Sequence, residues 1–175
     1  MKMFFVLITI VSSFSANAGL PSFNQSVVSI NDTTTESSLP QLLSLYYDIK
    51  DALVGSDAAN ASVKAASLLN AINGMDIKTL TKTEQAAFTP LQAKLAYDAR
   101  HISEVKDISH QREHFANLSL NMYTLAKNAK LSDQPVYKDY CPMKKAYWLS
   151  SAQTIKNPYY GNAMLTCGKV DETLK

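Results

Sequence analysis

Apolar residues recur at three- and four-residue steps through four successive segments in the middle of the chain. Residues at this spacing share one face of an α-helix, so the pattern predicts four amphipathic helices. They begin near Pro40, Ala58, Lys82 and Ile108. Short polar connections separate them, and such connections favour antiparallel neighbours. We therefore predict a mainly α fold, an antiparallel four-helix bundle over about residues 39–130.

Local signals agree with these helix boundaries. Each pattern follows a residue whose side chain can cap a helix: Ser38, Asp57, Thr81 and Asp107. Thr81 and Glu84 have the spacing of a capping box. Pro90 lies inside the third pattern. Because proline interrupts the hydrogen bonding of a helix, we expect a kink or a later start there.

The amino-acid composition of the sequence changes after Pro135. Tyr, Pro, Cys, Met and Gly become frequent, and the helical period is lost. We expect residues 131–175 to form a C-terminal loop region with one or two short strands, packed over the bundle. Bundle and tail would then form one domain, residues 39–175.

The N-terminal residues indicate export. Lys2 precedes the apolar run Met3 to Val11, and Ala16-Asn17-Ala18 then offers small residues for cleavage. This order is typical of a secretory signal peptide, which we place at residues 1–18. Residues 19–38 are rich in Ser, Thr and Asn and are predicted to form a flexible leader. The expected location is periplasmic or secreted, with no transmembrane segment in the mature chain.

Charge and cysteine content narrow the function classes. The formal net charge is +2, and charges of both signs are interspersed. Nucleic-acid binding therefore has no electrostatic support. The chain has two cysteines, Cys141 and Cys167. In an oxidising compartment a single disulfide is their default state.

The same two cysteines could instead be metal ligands. Met143 lies two residues after Cys141, and Met164 lies three before Cys167. Residues two apart in an extended segment, or three apart in a helical turn, face the same way. Two thiolates and two thioethers would select a soft ion such as Cu(I). His101 is the best candidate for an additional ligand, since imidazole also suits copper.

Histidines suggest a different kind of site. His110 to His114 reads H-Q-R-E-H and matches the H-x-x-E-H pattern of inverted zinc metallopeptidases. On a helix His110 and His114 share a face, and Glu113 could act as a general base. The pattern has only three fixed letters and no second motif places a third ligand. We therefore predict that the protein is not an enzyme. A zinc-dependent hydrolase that uses His110, Glu113 and His114 is the less favoured alternative.

Several blocks of the chain resemble an exported bacterial family of unknown function. From about Leu39 to Val170 they are Tyr46–Val54, Asp107–Arg112 with Phe115, Leu118 and Ser119, Cys141–Met143, Tyr147–Ser150, Asn157–Gly161 and Met164–Gly168. Members of that family occur alone or joined to membrane-fusion adaptor subunits of efflux pumps for copper and other heavy metals. The resemblance implies periplasmic metal handling.

The sequence thus favours a periplasmic soft-metal protein that holds copper, with Cys141, Met143, Met164, Cys167 and His101 as ligands. Such a protein would hold the ion or pass it to an efflux adaptor. The alternative is a structural or interaction domain that is stapled by a Cys141–Cys167 disulfide and binds no metal.

Overall fold

The computed structural model describes residues 38–175, and the predicted signal peptide and all but the last residue of the predicted leader lie outside them. The described residues form four helices, α1 (Leu39–Val54), α2 (Ala58–Asn73), α3 (Lys82–Glu104) and α4 (Ile108–Asn128). The prediction of a mainly α four-helix bundle is confirmed. None of the helices within these residues has the length and apolar character needed to cross a membrane.

Three of the four helices begin at a side-chain cap. Asp57 and Asp107 each accept a hydrogen bond from the backbone N–H three residues later. Thr81 and Glu84 form the predicted capping box. These bonds satisfy N–H groups that would have no partner at a helix start. Ser38 makes no such cap, because its hydroxyl contacts the sulfur of Met75 instead.

Pro90 does not delay α3. The helix begins at Lys82 and continues through Pro90 to Glu104, so the expected later start is wrong. Pro90 lies on the exposed side of the helix. The carbonyl that loses its backbone partner can therefore be solvated, which lowers the cost of an internal proline.

The core lies where the helices and the tail meet, and Tyr46 is at its centre. Its ring is fully buried and stacks on Phe115 of α4 at 5.1 Å between centroids. Its hydroxyl lies 2.7 Å from Oγ of Ser119 and accepts a hydrogen bond from the backbone N–H of Leu149. One side chain of α1 therefore joins α4 to the C-terminal region.

The C-terminal region contains a small antiparallel sheet. Its strands are β1 (Val136–Cys141), β2 (Ala146–Ser150) and β3 (Lys169–Leu174), in the order β2-β1-β3. The sequence predicted one or two short strands, and the structure has three. β2 packs against α4 and thereby places the sheet on the bundle.

Arg112 fixes the tail to the end of the bundle where α1 ends and α4 begins. Its Nε donates to the carbonyl of Pro158 at 2.8 Å, and its Nη2 donates to the carbonyl of Leu53 and to Oγ of Ser56. Gly161 approaches this point with φ +54°, and a Cβ there would lie 2.9 Å from the guanidinium. Only glycine fits such a conformation at so close an approach.

Candidate metal centre

Three histidines from two helices meet at one end of the bundle. His101 lies in the last turn of α3, and His110 and His114 lie in the first turns of α4. Each offers a nitrogen, and these three nitrogens lie within 4.8 Å of one another. A short loop joins the two helices, so the end of α3 adjoins the beginning of α4. The connection itself therefore brings the three imidazoles together.

The rings of the three histidines pack directly against each other. His101 and His114 stack at 4.5 Å with an interplanar angle of 9°. His110 stands at 60° to His114, with centroids 4.9 Å apart. Tyr97, one helical turn before His101, places its ring 4.3 Å from that imidazole. His110 is exposed while the other two are half-buried, so the cluster opens to solvent on the His110 side.

Asp98 orients His114. Its Oδ1 lies 3.0 Å from Nδ1 of His114, and the carboxyl is almost fully buried. Asn121 makes a further hydrogen bond to the Asp98 carboxyl. Burial raises the pKa of Asp98, and the hydrogen bonds to His114 and Asn121 oppose that rise. A carboxylate can only accept, so His114 donates from Nδ1 and its Nε2 keeps a lone pair for a metal ion. Such carboxylate–histidine pairs are the usual second layer around bound metals.

Glu113 stands in a similar relation to His110. Its Oε2 lies 3.8 Å from Nδ1 of His110, and both side chains are exposed. The contact is longer than a hydrogen bond, so Glu113 orients His110 more weakly than Asp98 orients His114. Two of the three imidazoles thus turn Nδ1 toward a carboxylate.

The cluster could close around a tetrahedral ion with small side-chain rotations. Metal–imidazole bonds of about 2.0–2.1 Å place two nitrogens of one tetrahedral ion about 3.4 Å apart. The nitrogens here are separated by up to 4.8 Å, so at least one ring must move inward. His110 is exposed and free to turn. The three imidazoles would leave a fourth position for water or another ligand.

Gln111 holds the helix ends on which the histidines lie. It is fully buried, and its Nε2 lies within 3.2 Å of four acceptors. They are the carbonyls of Ala58, Ile102 and Val105 and Oγ of Ser62. The amide therefore ties the start of α2 and the end of α3 to α4. This junction fixes the positions from which His101 and His110 extend.

The side chains of Cys141 and Cys167 are in contact, and the backbones of Met143 and Met164 are each hydrogen-bonded to Cys167. Cys141 is fully buried at the end of β1, and the thiol of Cys167 is hydrogen-bonded to its sulfur. Both cysteines are free thiols. Partial desolvation and the neighbouring Cys141 raise the pKa of Cys167. Met143 and Met164 are 61% and 39% exposed.

His101 is grouped with the other histidines and not with the cysteines. Within residues 38–175, the cluster of potential metal ligands that includes His101 contains His110 and His114 and no thiol. Two candidate groups therefore exist, one of imidazoles and one of sulfurs. The combination of His101 with the four sulfurs stays a prediction from the sequence.

A comparison with protein families agrees with the predicted membership of a family of unknown function. The family described as "Protein of unknown function (DUF3347)" matches residues 42–134, more than half of the chain. The chain belongs to this family. The match extends from α1 to the residues before β1, so it includes all three histidines and ends before Cys141. No curated protein and no solved structure matches the chain.

Sequence reasoning assigned His101 to the sulfur site as an additional ligand, and it missed the carboxylate of Asp98 behind His114. One signal was present: Leu91, Leu95, Asp98 and Ile102 follow each other at helical spacing. A carboxylate at a position where the period predicts an apolar residue needs a buried partner. That requirement points from Asp98 to a basic group on the facing helix, which is His114.

Proposed function

We propose that the protein binds one transition-metal ion on His101, His110 and His114. The observation that carries the proposal is the convergence of three imidazoles, whose nitrogens lie within 4.8 Å of one another. The hydrogen bond that Nδ1 of His114 donates to Asp98 supports the proposal as well, because it holds His114 in the tautomer that a metal requires.

The donor set limits the choice of ion. Imidazole suits zinc, copper and nickel, while calcium and magnesium prefer oxygen ligands. Copper is the physiological candidate that the sequence resemblance favours, and zinc is the redox-inert probe for the same donors. Export to the periplasm and transfer to a membrane-fusion adaptor of an efflux pump remain parts of this proposal.

A ligand-exchange mechanism follows from the asymmetry of the cluster. His114 is held by Asp98, whereas His110 is exposed and only weakly oriented by Glu113. An incoming ligand could enter the fourth position, and His110 would then be the first imidazole to leave. The ion would be passed on by replacing one ligand at a time, without ever being released as the free aqueous ion.

The test is a Zn(II) titration of the reduced full chain by calorimetry. We expect one Zn(II) per chain, and each single substitution His101→Ala, His110→Ala or His114→Ala should weaken binding at least tenfold. The double variant Cys141→Ser/Cys167→Ser is the control and should bind like wild type. Wild-type affinity in the triple histidine variant, with unchanged helical circular dichroism, would refute the proposal.

A zinc-dependent hydrolase is a second candidate, because His101 supplies the third imidazole that the H-x-x-E-H pattern lacked. Three protein ligands and an open fourth position are the arrangement that activates water. Glu113 would have to act as the base, although its carboxylate lies closest to His110. Peptide or ester hydrolysis that needs zinc and disappears in Glu113→Gln would support this candidate.

A further inference from the structure

The sulfur atoms of Cys141 and Cys167 accept hydrogen bonds from several N–H groups. The backbone N–H of Lys144 donates to Sγ of Cys141 at 3.4 Å, and Nδ2 of Asn157 donates to the same sulfur at 3.1 Å. The backbone N–H of Met143 donates to the sulfur of Cys167. Such donors make a stronger bond to a charged sulfur than to a thiol, so they offset part of the charge that a metal-bound thiolate would carry.

Asn157 is built into the fold around these sulfurs. The residue is fully buried, and its side chain also donates to the carbonyl of Cys167 at 2.7 Å. Its Oδ1 accepts from the backbone N–H of Tyr159. With every polar group used, the amide cannot turn away, so its N–H remains directed at Cys141.

Within the part of the chain that the structure describes, the two cysteines lack the additional ligands that harder ions need. Among the residues that the structure describes, no His, Asp or Glu joins the two cysteines in a potential three-ligand cluster. Zinc in structural sites takes four thiolate, imidazole or carboxylate ligands. The nearest sulfur-bearing residues along the chain are Met143 and Met164, whose side chains are exposed. Thiolates with thioethers select Cu(I).

We propose that Cys141 and Cys167 form a second metal site, separate from the histidines, that binds one soft monovalent cation such as Cu(I) as a bis-thiolate. Two thiols bind one Cu(I) and release two protons, which leaves a complex with one negative charge. The three N–H donors at the sulfurs offset that charge. Met143 and Met164, both exposed, then serve as additional soft ligands during entry and exit of the ion.

Oxidation would compete with this site. Two thiols in contact can also lose two electrons and two protons to an oxidant and form a disulfide, which has no thiolate left to bind a metal. Cu(I) must therefore be added to the reduced chain without oxygen. The His101, His110 and His114 cluster is not needed for this step, so the two sites can be tested independently.

The experiment is a competition for Cu(I) between the reduced full chain and a chromophoric Cu(I) chelator. The chelator is one that outcompetes imidazole ligands for Cu(I), so wild type should withhold one Cu(I) at the two thiolates. Cys141→Ser/Cys167→Ser should lose at least a hundredfold in affinity. The triple histidine variant should retain the wild-type value. Met143→Leu/Met164→Leu should retain the stoichiometry and exchange the ion more slowly. Cu(I) bound equally well by the double cysteine variant, or no competition by reduced wild type, overturns the proposal.

A second measurement needs no variant and covers the case in which serine disturbs the fold. Cu(I) should slow the alkylation of Cys167 by iodoacetamide at least tenfold in wild type, whereas Zn(II) at the histidines should leave it unchanged. Alkylation at the same rate with and without Cu(I) overturns the proposal. Zn(II) titration of the double cysteine variant reports separately on the histidine cluster, so failure of one site is distinguishable from failure of the other.

Discussion

Burial of the Asp98 carboxyl costs free energy of folding, and its hydrogen bonds to His114 and Asn121 offset part of that cost. Its carboxyl is buried on the side of α3 that faces α4, where an apolar residue would pack without desolvation. Burial raises its pKa, so desolvation makes the ionised form less favourable here than in water. The role of Asp98 explains why a carboxyl is found at this buried position: it keeps Nδ1 of His114 as a hydrogen-bond donor.

Replacing Asp98 by Asn should separate stability from metal binding. An amide is neutral and still accepts from His114, so the free energy of unfolding should stay the same or rise. The weaker bond should lower Zn(II) affinity by about 10- to 100-fold. The control is Asp48→Asn, which removes a carboxylate that pairs with Lys64 on the bundle surface. Calorimetric titration and urea unfolding check the result; undiminished Zn(II) affinity in Asp98→Asn would contradict it.

At the scale of the helices, Gln111 couples the fold to the imidazole cluster. Gln111→Leu removes the donor that serves the carbonyls of Ile102 and Val105 at the end of α3. The Ser62 hydroxyl also lies within 3.3 Å of both carbonyls, but its single proton can serve only one of them. The carbonyl that is left unpaired should cost about 2 kcal/mol of unfolding free energy. Because His101 directly precedes Ile102, the α3 end should also shift and weaken Zn(II) binding roughly tenfold.

Gln92→Leu is the matched control for that prediction. Nε2 of Gln92 also donates to a carbonyl at the end of a helix, that of Ile72 in α2, but lies about 13 Å along α3 from His101. We expect it to cost about 1 kcal/mol and to leave Zn(II) affinity unchanged. Equal losses of affinity in both variants would show that Gln111 acts only through general stability.

Gly161 is the point at which the tail closes on the bundle, and Gly161→Ala should be costly. The positive φ and the 2.9 Å approach of a Cβ to the carbonyl of Val54 predict a loss of about 2–3 kcal/mol in urea unfolding. Gly55→Ala is the control: it has φ −72° and ordinary contacts at 3.5 Å or more. Alanine there should change stability by less than about 0.5 kcal/mol. Similar losses at both glycines would contradict this account.

The elements were predictable to the extent that their signals are local. Helix starts at Ala58, Lys82 and Ile108 follow from caps and apolar periods within the same segment. β3 was not predicted, because Lys169–Leu174 alternates only half-buried and exposed residues and pairs with β1, far away in sequence. The phase of α3 relative to α4 is likewise non-local, so His101 could not be assigned to His110 and His114.

The whole molecule is organised around three consecutive residues at the start of α4. His110 faces the imidazole cluster, Gln111 joins the ends of α2 and α3, and Arg112 holds Pro158 of the tail. Pro158 directly follows Asn157, whose amide contacts the sulfur of Cys141. The H-x-x-E-H match thus contains structural residues between its ligands. A substitution at Gln111 or Arg112 should be interpreted through the fold before it is interpreted through catalysis.

The interface between the bundle and the sheet should make stability depend on pH through Asp139. Its carboxyl is fully buried on β1, and neither oxygen accepts a hydrogen bond from a residue that the structure describes. Burial raises the pKa of Asp139 to about 7, although the nearby Lys50 opposes the rise. Tyr47, which faces it from α1, also has a buried hydroxyl without a partner in this part of the chain and offers no compensating charge.

The sign follows from proton binding in the two states. Unfolded Asp139 releases its proton near pH 4, whereas the folded protein retains it up to about pH 7. Between these values the folded state binds more protons, so the free energy of unfolding falls as pH rises and levels off above about pH 7. Asp139→Asn cannot ionise. The stability of wild type relative to Asp139→Asn should therefore decrease by on the order of 2–4 kcal/mol between pH 4.5 and pH 7.5 in urea unfolding. A difference that stays constant over this range would show that Asp139 ionises at its ordinary pKa inside the fold.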